Sequence, residues 1–273
     1  MTAQLEKTSA PARHYPRIPY SRHRHGPPSP NTPALECTDV SVRYARGDRP
    51  AVQGVTLAVP QGSRVALVGA NGAGKSTLLK AAAGLLPLSA GTIRVHGSPP
   101  GGCCHRVAYL AQRGDLDWRF PMTVRRLVLT GRYVHLGWFR RAGREDLAIV
   151  ERVLDLLQIS DLADRRIGEL SGGQQQRTLL ARAMAQDADM LLLDEPMNAV
   201  DAQTRQVVRD VLRTLSKAGK TIVAATHDTH EIHVDFDEVI HLSCGCTDHA
   251  GSIEDVRLVH PRSGLKASVS ENA

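Results

Sequence analysis

Gly69-Ala70-Asn71-Gly72-Ala73-Gly74-Lys75-Ser76-Thr77 decides the reading of this 273-residue chain. It fits G-x-x-x-x-G-K-[ST], the phosphate loop or Walker A pattern. The glycines let backbone N–H groups turn inward around an anion. Lys75 supplies a positive charge for β- and γ-phosphates, and the Ser76 hydroxyl is placed to ligate Mg²⁺. The flanks agree with the motif. Arg64–Val68 is apolar and reads as a buried parallel strand. Thr77–Ala83 reads as a helix that Gly84 is suited to end. Strand, glycine loop, helix is the order that points a helix N-terminus at the phosphates.

Working outward, the sequence predicts strands at Leu35–Tyr44 and Val52–Val59, with a turn near Gly47-Asp48-Arg49-Pro50. Thr92–Val95 and Val107–Ala111 follow as short strands. Val124–Leu129, Glu145–Leu157 and Gln174–Ala185 have helical spacing and good helix formers. Beyond them lie a strand at Met190–Leu193, a helix at Ala202–Leu215 and strands at Thr221–Ala225 and Glu238–Leu242. Strands alternating with helices predict an α/β fold with a mostly parallel sheet. Residues 1–33 are rich in Pro, Arg, His and Ser without apolar periodicity, and read as a disordered basic arm. Residues 34–260 read as a single domain with a helical insert over about 113–185, and 261–273 as a flexible tail.

A net charge of +6 leaves acidic lipid, nucleic acid or a nucleotide open as partners. Much of the excess sits in the arm, at Arg13, Arg17, Arg22 and Arg24, so the folded part is nearer neutral. Five cysteines without a C-x-x-C pair read as reduced thiols in a cytosolic chain. No apolar run is long enough to span a bilayer, and there is no secretory h-region.

Met190-Leu191-Leu192-Leu193-Asp194-Glu195 is an apolar run ending in two carboxylates. A buried strand would deliver them to the C-terminal edge of the sheet, where α/β ligands bind. Asp194 then suits a Mg²⁺ site, and Glu195 a base or water-orienting role in attack on a γ-phosphate. Leu170-Ser171-Gly172-Gly173-Gln174 opens a helix, with Ser171 as N-cap and two glycines allowing close approach to an anion. A plain loop-to-helix cap is the alternative on spacing alone.

L-S-G-G-Q followed by Q-Q-R, downstream of the phosphate loop, resembles the signature of ATP-binding cassette (ABC) ATPases. The other family elements fall in order. The resemblance implies an ABC ATPase fold: a phosphate-loop core, an N-terminal antiparallel β-subdomain and an inserted α-helical subdomain. It implies that Tyr44 stacks on adenine and that Gly69 to Thr77 hold the phosphates. It implies that Gln112 senses Mg²⁺ and contacts a permease. Ser76, Gln112 and Asp194 become the Mg²⁺ ligands, and Glu195, His227 and Lys75 the catalytic residues. Asn198-Ala199-Val200-Asp201 matches the loop after the carboxylates. In the family two cassettes pair head to tail, so each ATP lies between one phosphate loop and the other chain's Ser171–Gln174, with Asp201 beside it. A second helix N-terminus would meet the γ-phosphate from the far side.

Arg113 to Pro121, with D-W-x-F-P, and Gly131 to Trp138, with G-R-Y and L-G-W, resemble the cassettes of manganese, zinc and iron importers. The resemblance implies ATP and Mg²⁺ as cofactors and a place on the cytoplasmic face of the membrane. It also implies permease subunits, a second ATPase subunit and an extracytoplasmic solute-binding protein as partners, and no nucleic acid. A siderophore or haem importer ATPase, or a soluble non-transport ABC ATPase, are the alternatives. Trp118, Phe120, Tyr133 and Trp138 either line a groove for a permease helix or fill the insert's core. His241, Cys244, Cys246 and His249 depart from the family, and Cys103-Cys104-His105 raises the same question of a metal site. Both read as solvated, reduced loops rather than metal sites.

Overall fold

The structure is a computed structural model of the chain. The described residues are 29, 31–44, 49–101, 105–111, 116–136, 141–198, 200–227, 232–243 and 245–252. Gln112, Cys103, Cys104, Cys244, Trp138, the arm before residue 29 and the tail 261–273 lie outside them.

Two sheets are present among the described residues. The first joins β2 (Val52–Val59), β1 (Leu35–Val42) and β4 (Ala90–Val95) in that order, all antiparallel. The second runs β5 (Val107–Leu110), β6 (Met190–Asp194), β7 (Thr221–Thr226), β3 (Arg64–Val68), β8 (Glu238–Ser243), β9 (Cys246–Ser252). It is parallel throughout except for the antiparallel β8–β9 pair. The fold class read from the sequence is therefore borne out.

Side chains alternate across a strand, and that alternation divides the core in two. Val65, Leu67, Met190, Leu192, Val223 and Ala225 face one way, onto the antiparallel sheet and α1 (Lys75–Ala82). Ala66, Val68, Leu191, Leu193, Ile222 and Ala224 face the other, onto the helical insert and α6 (Ala202–Lys217). With both faces covered, these strands have no polar positions to spare, which is why they read as unbroken apolar runs. Each fully buried Leu or Ile contributes about 1.5–3 kcal/mol.

The insert lies between β5 and β6. It comprises α2 (Val124–Leu129), α3 (Tyr133–Leu136), α4 (Arg144–Leu156) and α5 (Gly172–Ala185). Arg132 is buried within it, its Nε 3.0 Å from Asp146 Oδ1 and its Nη1 donating to Ala185 O at 3.0 Å. The chain closes with α7 (Ile232–Asp235) and the β8–β9 hairpin.

Several bounds differ from the sequence reading. Helix α1 begins at Lys75 rather than Thr77, because Gly74 in the left-handed region serves as its N-cap. It ends as expected: Gly84 has φ 74°, Gly84 N–H donates to Ala81 O at 2.9 Å and Leu85 N–H to Lys80 O at 2.8 Å. Strand β1 stops at Val42, short of Tyr44. The segment around Cys246, read as a loop, is strand β9, paired from Cys246↔Ser243 to Ser252↔Glu238.

Candidate active site

Phosphate-loop geometry follows from its contacts. Gly69 has φ 152°, and a Cβ there would lie 2.2 Å from Leu242 O of β8. Only glycine fits that approach. The far side of the loop is braced by the β8–β9 turn: Gly245 N–H donates to Ala73 O at 3.2 Å, and Gln53 N–H donates to Gly245 O at 2.8 Å. Lys75 is buried, and its Nζ donates to Gly69 O at 2.7 Å and Ala70 O at 3.0 Å. The ammonium is thus held over the loop by backbone carbonyls.

β6 carries Asp194 and Glu195 to the sheet's C-terminal edge beside the loop. Ser76 Oγ donates to Asp194 Oδ1 at 2.9 Å, and Tyr109 Oη donates to Oδ2 at 3.3 Å. Asp194 is only 2% exposed. Burial pushes its carboxyl above the usual range, the two hydroxyls pull it back, and Glu195 pushes it up again. The described residues fit a divalent cation here, because a desolvated carboxylate and a facing hydroxyl are hard oxygen donors. Ser76 and Asp194 would hold Mg²⁺.

Glu195 adopts φ 53°, a left-handed conformation that costs a non-glycine residue roughly 1–2 kcal/mol. Its N–H donates to Ala225 O at 3.0 Å, and its carbonyl accepts from Asn198 N–H at 3.2 Å. Asn198 Nδ2 donates to Oε2 at 2.6 Å, and His227 Nδ1 lies 3.3 Å from Oε1. The carboxylate is therefore clamped on both oxygens. It shares one open cleft of about 400 Å³ with Ala51, Asn71, Lys75, Ser76 and Thr77. Tyr44 stands at the side, half exposed, its hydroxyl 3.1 Å from Thr77 Oγ1.

Ser171 to Gln174 do not line that cleft. They form the N-terminus of α5, where Ser171 Oγ accepts from Gln174 N–H at 3.4 Å and Gln174 Oε1 accepts from Ser171 N–H at 2.9 Å. Asp201 caps α6, accepting from Thr204 N–H at 2.8 Å and Thr204 Oγ1 at 2.9 Å. Those bonds hold its carboxyl below the usual range. Gly173 packs onto this cap so tightly that a Cβ would lie 2.6 Å from Thr204 Oγ1.

A sequence profile of the ABC transporter family matches residues 52–198. The zinc transport system ATP-binding protein TroB of Treponema pallidum is 44% identical over 210 residues, 77% of this chain and 78% of that one. The chain belongs to the ABC transporter family. The manganese transport system ATP-binding protein MntB of Bacillus subtilis is 38% identical to this ABC-family cassette, over 82% of it and 90% of the relative. An inward-facing metal-chelate type ABC transporter aligns at TM-score 0.72 and 28% identity, covering 82% of this chain and 85% of that chain. A nucleotide-free cassette aligns at TM-score 0.74 and 21% identity, over 88% of this chain and 100% of that one, a likeness of fold.

The sequence reading missed some members of the cassette's site. Tyr109 carried no signal of its own. It reaches Asp194 because it pairs with Leu192, two residues earlier on the same face. Asn198 was read only as part of a loop. Among the described residues no group of three or more His, Cys, Asp or Glu could hold a metal ion; Cys103, Cys104 and Cys244 of the two Cys/His clusters lie outside those residues. Burial pushes the Cys37 thiol up to about 12, which leaves it inert.

Proposed function

We propose that this ABC-type ATP hydrolase powers the import of a transition-metal ion, manganese, zinc or iron. The observation that carries the reading is the clamped Glu195 carboxylate facing the phosphate loop across one cleft, with Lys75 and Ser76 beside it. The relatives named for zinc and manganese transport, at 44% and 38% identity, support the cargo class. The likeness to a metal-chelate transporter, at 28% identity, favours a siderophore or haem cargo as the second reading.

In this reading Lys75 and the N–H groups of Gly72 to Thr77 bind the β- and γ-phosphates, and Tyr44 stacks on adenine. Bound Mg²⁺ neutralises phosphate charge. Glu195 orients the attacking water and accepts its proton, while Asn198 and His227 fix the carboxylate. A second cassette brings Ser171–Gln174 to the γ-phosphate from the far side. Phosphoryl transfer depends mostly on such positioning and charge neutralisation.

The remaining partners are permease subunits and an extracytoplasmic solute-binding protein, with the cassette on the cytoplasmic face of the membrane. No helix among the described residues is long and apolar enough to cross a membrane. A groove of about 580 Å³ between core and insert supports a permease helix as occupant. Leu85, Leu110, Leu116 and Val134 make it apolar, and Arg182 brings a charge whose pKa burial lowers. The test is co-expression with its permease, reconstitution in vesicles, and ATP turnover with Mn²⁺, Zn²⁺ or Fe²⁺ and the solute-binding protein outside. Stimulation by one of these ions is expected. Stimulation only by a chelate or haem would move the cargo to the second reading.

A further inference from the structure

Helix α5 is tied twice to the chain that follows β6. One tie is the contact of Gly173 with the Asp201–Thr204 cap. The other is deeper: Gln176, only 3% exposed, donates from Nε2 to Pro196 O at 2.8 Å. Pro196 follows Glu195 directly. A proline has no N–H, so its carbonyl is its one backbone hydrogen-bonding group. Glu195 is thus pinned at φ 53° by Ala225 O before it and by Gln176 on the carbonyl after it.

We infer that Gln176 is a positioning residue for hydrolysis. Its amide holds the Pro196 carbonyl, and through it the backbone from which the Glu195 carboxylate enters the cleft. The inference rests on the hydrolytic reading of that cleft. It adds a direction of coupling. Gln176 sits two residues beyond Ser171–Gln174, the segment assigned to the second cassette's nucleotide. A shift of α5 on closure therefore reaches Glu195 through one buried hydrogen bond. Truncating that bond moves the carboxylate, not the phosphate loop, since Gln176 has no contact with Gly69 to Thr77 among the hydrogen bonds of the loop.

The experiment uses the full chain carrying Gln176→Met, which keeps length and loses the donor, and Gln176→Asn, which keeps the amide and falls short of Pro196. Gln175→Met is the control, because Gln175 Nε2 donates to Leu170 O at 3.3 Å, away from the cleft. Steady-state turnover is measured with equilibrium MgATP binding and melting temperature. The expected result is a fall in kcat of tenfold or more in both Gln176 variants, with Kd for MgATP within twofold of wild type and the control unaffected. Turnover within twofold of wild type in both Gln176 variants overturns the inference. So does a loss of nucleotide affinity matching the loss of turnover, which marks a merely structural bond. If the wild type binds MgATP and never hydrolyses it, the hydrolytic reading fails instead and the inference falls with it. The Asn variant keeps a polar group in place and guards against a Met variant that does not fold.

Discussion

Replacing Asp194 by Asn is expected to stabilise the nucleotide-free protein while abolishing its turnover. The carboxyl is 2% exposed, next in sequence to Glu195, and its partners are two neutral hydroxyls, Ser76 and Tyr109. An amide preserves both contacts, since Oδ1 still accepts from Ser76 and the tyrosine hydroxyl can accept from Nδ2. What disappears is a desolvated charge and its repulsion from Glu195. Leaving a buried group short of solvation costs about 1–3 kcal/mol. For a domain of this size each kcal/mol moves the melting temperature by about 2–4 °C, so a rise of roughly 2–12 °C follows. The sign of the pH dependence is set by the raised carboxyl. The native state binds its proton more tightly than the unfolded chain, so wild-type stability falls as pH rises through the folded pKa. The advantage of Asp194→Asn therefore shrinks on acidification. Calorimetry in magnesium-free buffer between pH 4 and 8 reads the gap directly, and phosphate release reads the activity. A variant that melts at or below the wild-type temperature at neutral pH would refute the claim that Asp194 is a strained, cation-seeking carboxylate. Added MgATP should raise the wild-type melting temperature and leave the variant nearly unmoved.

Other outcomes are open to measurement. Glu195→Gln keeps the Asn198 contact and the shape of the site, so MgATP affinity should hold while kcat drops by about 10²–10⁴, read by phosphate release. Gly69→Ala forces a Cβ to 2.2 Å from Leu242 O at φ 152°, and should lose nucleotide binding and melt earlier; unchanged binding by titration of a fluorescent nucleotide would contradict the fit. Burial lowers the pKa of His96, whose two ring nitrogens are buried without partners. Its stabilising neutral form is complete above the unfolded pKa of about 6.5 and is lost as pH falls toward the lower folded value. His96→Leu should flatten the acid limb of the melting curve below pH 6.5.

The inner strands were legible because both their faces are covered. Val65 to Val68 and Met190 to Leu193 had to be apolar at every position, and no helix pattern competes with so short a run between glycines and carboxylates. Strand β9 was not legible. Thr247, Asp248, His249 and Gly251 offer no alternation, and the strand exists only because β8 presents an edge to it. Lys75, Ser76, Asp194 and Glu195 were read from chemistry and spacing and His227 from the family resemblance, and they share one neighbourhood. The ties between them could not be read that way. Tyr109 meets Asp194 only through the β5–β6 register, and Gln176 meets Pro196 only through the depth at which α5 packs. Such bonds are set by three-dimensional placement, which local pattern does not encode.

The brace at Gly245 imposes an order on biosynthesis. The carbonyl of Leu242 that shapes Gly69 and the amide of Gly245 that supports Ala73 are translated long after the glycine loop they brace. A nascent chain halted anywhere before that hairpin carries the complete Walker A motif without the wall it leans on. The full shape of the nucleotide loop therefore waits on the synthesis of that hairpin.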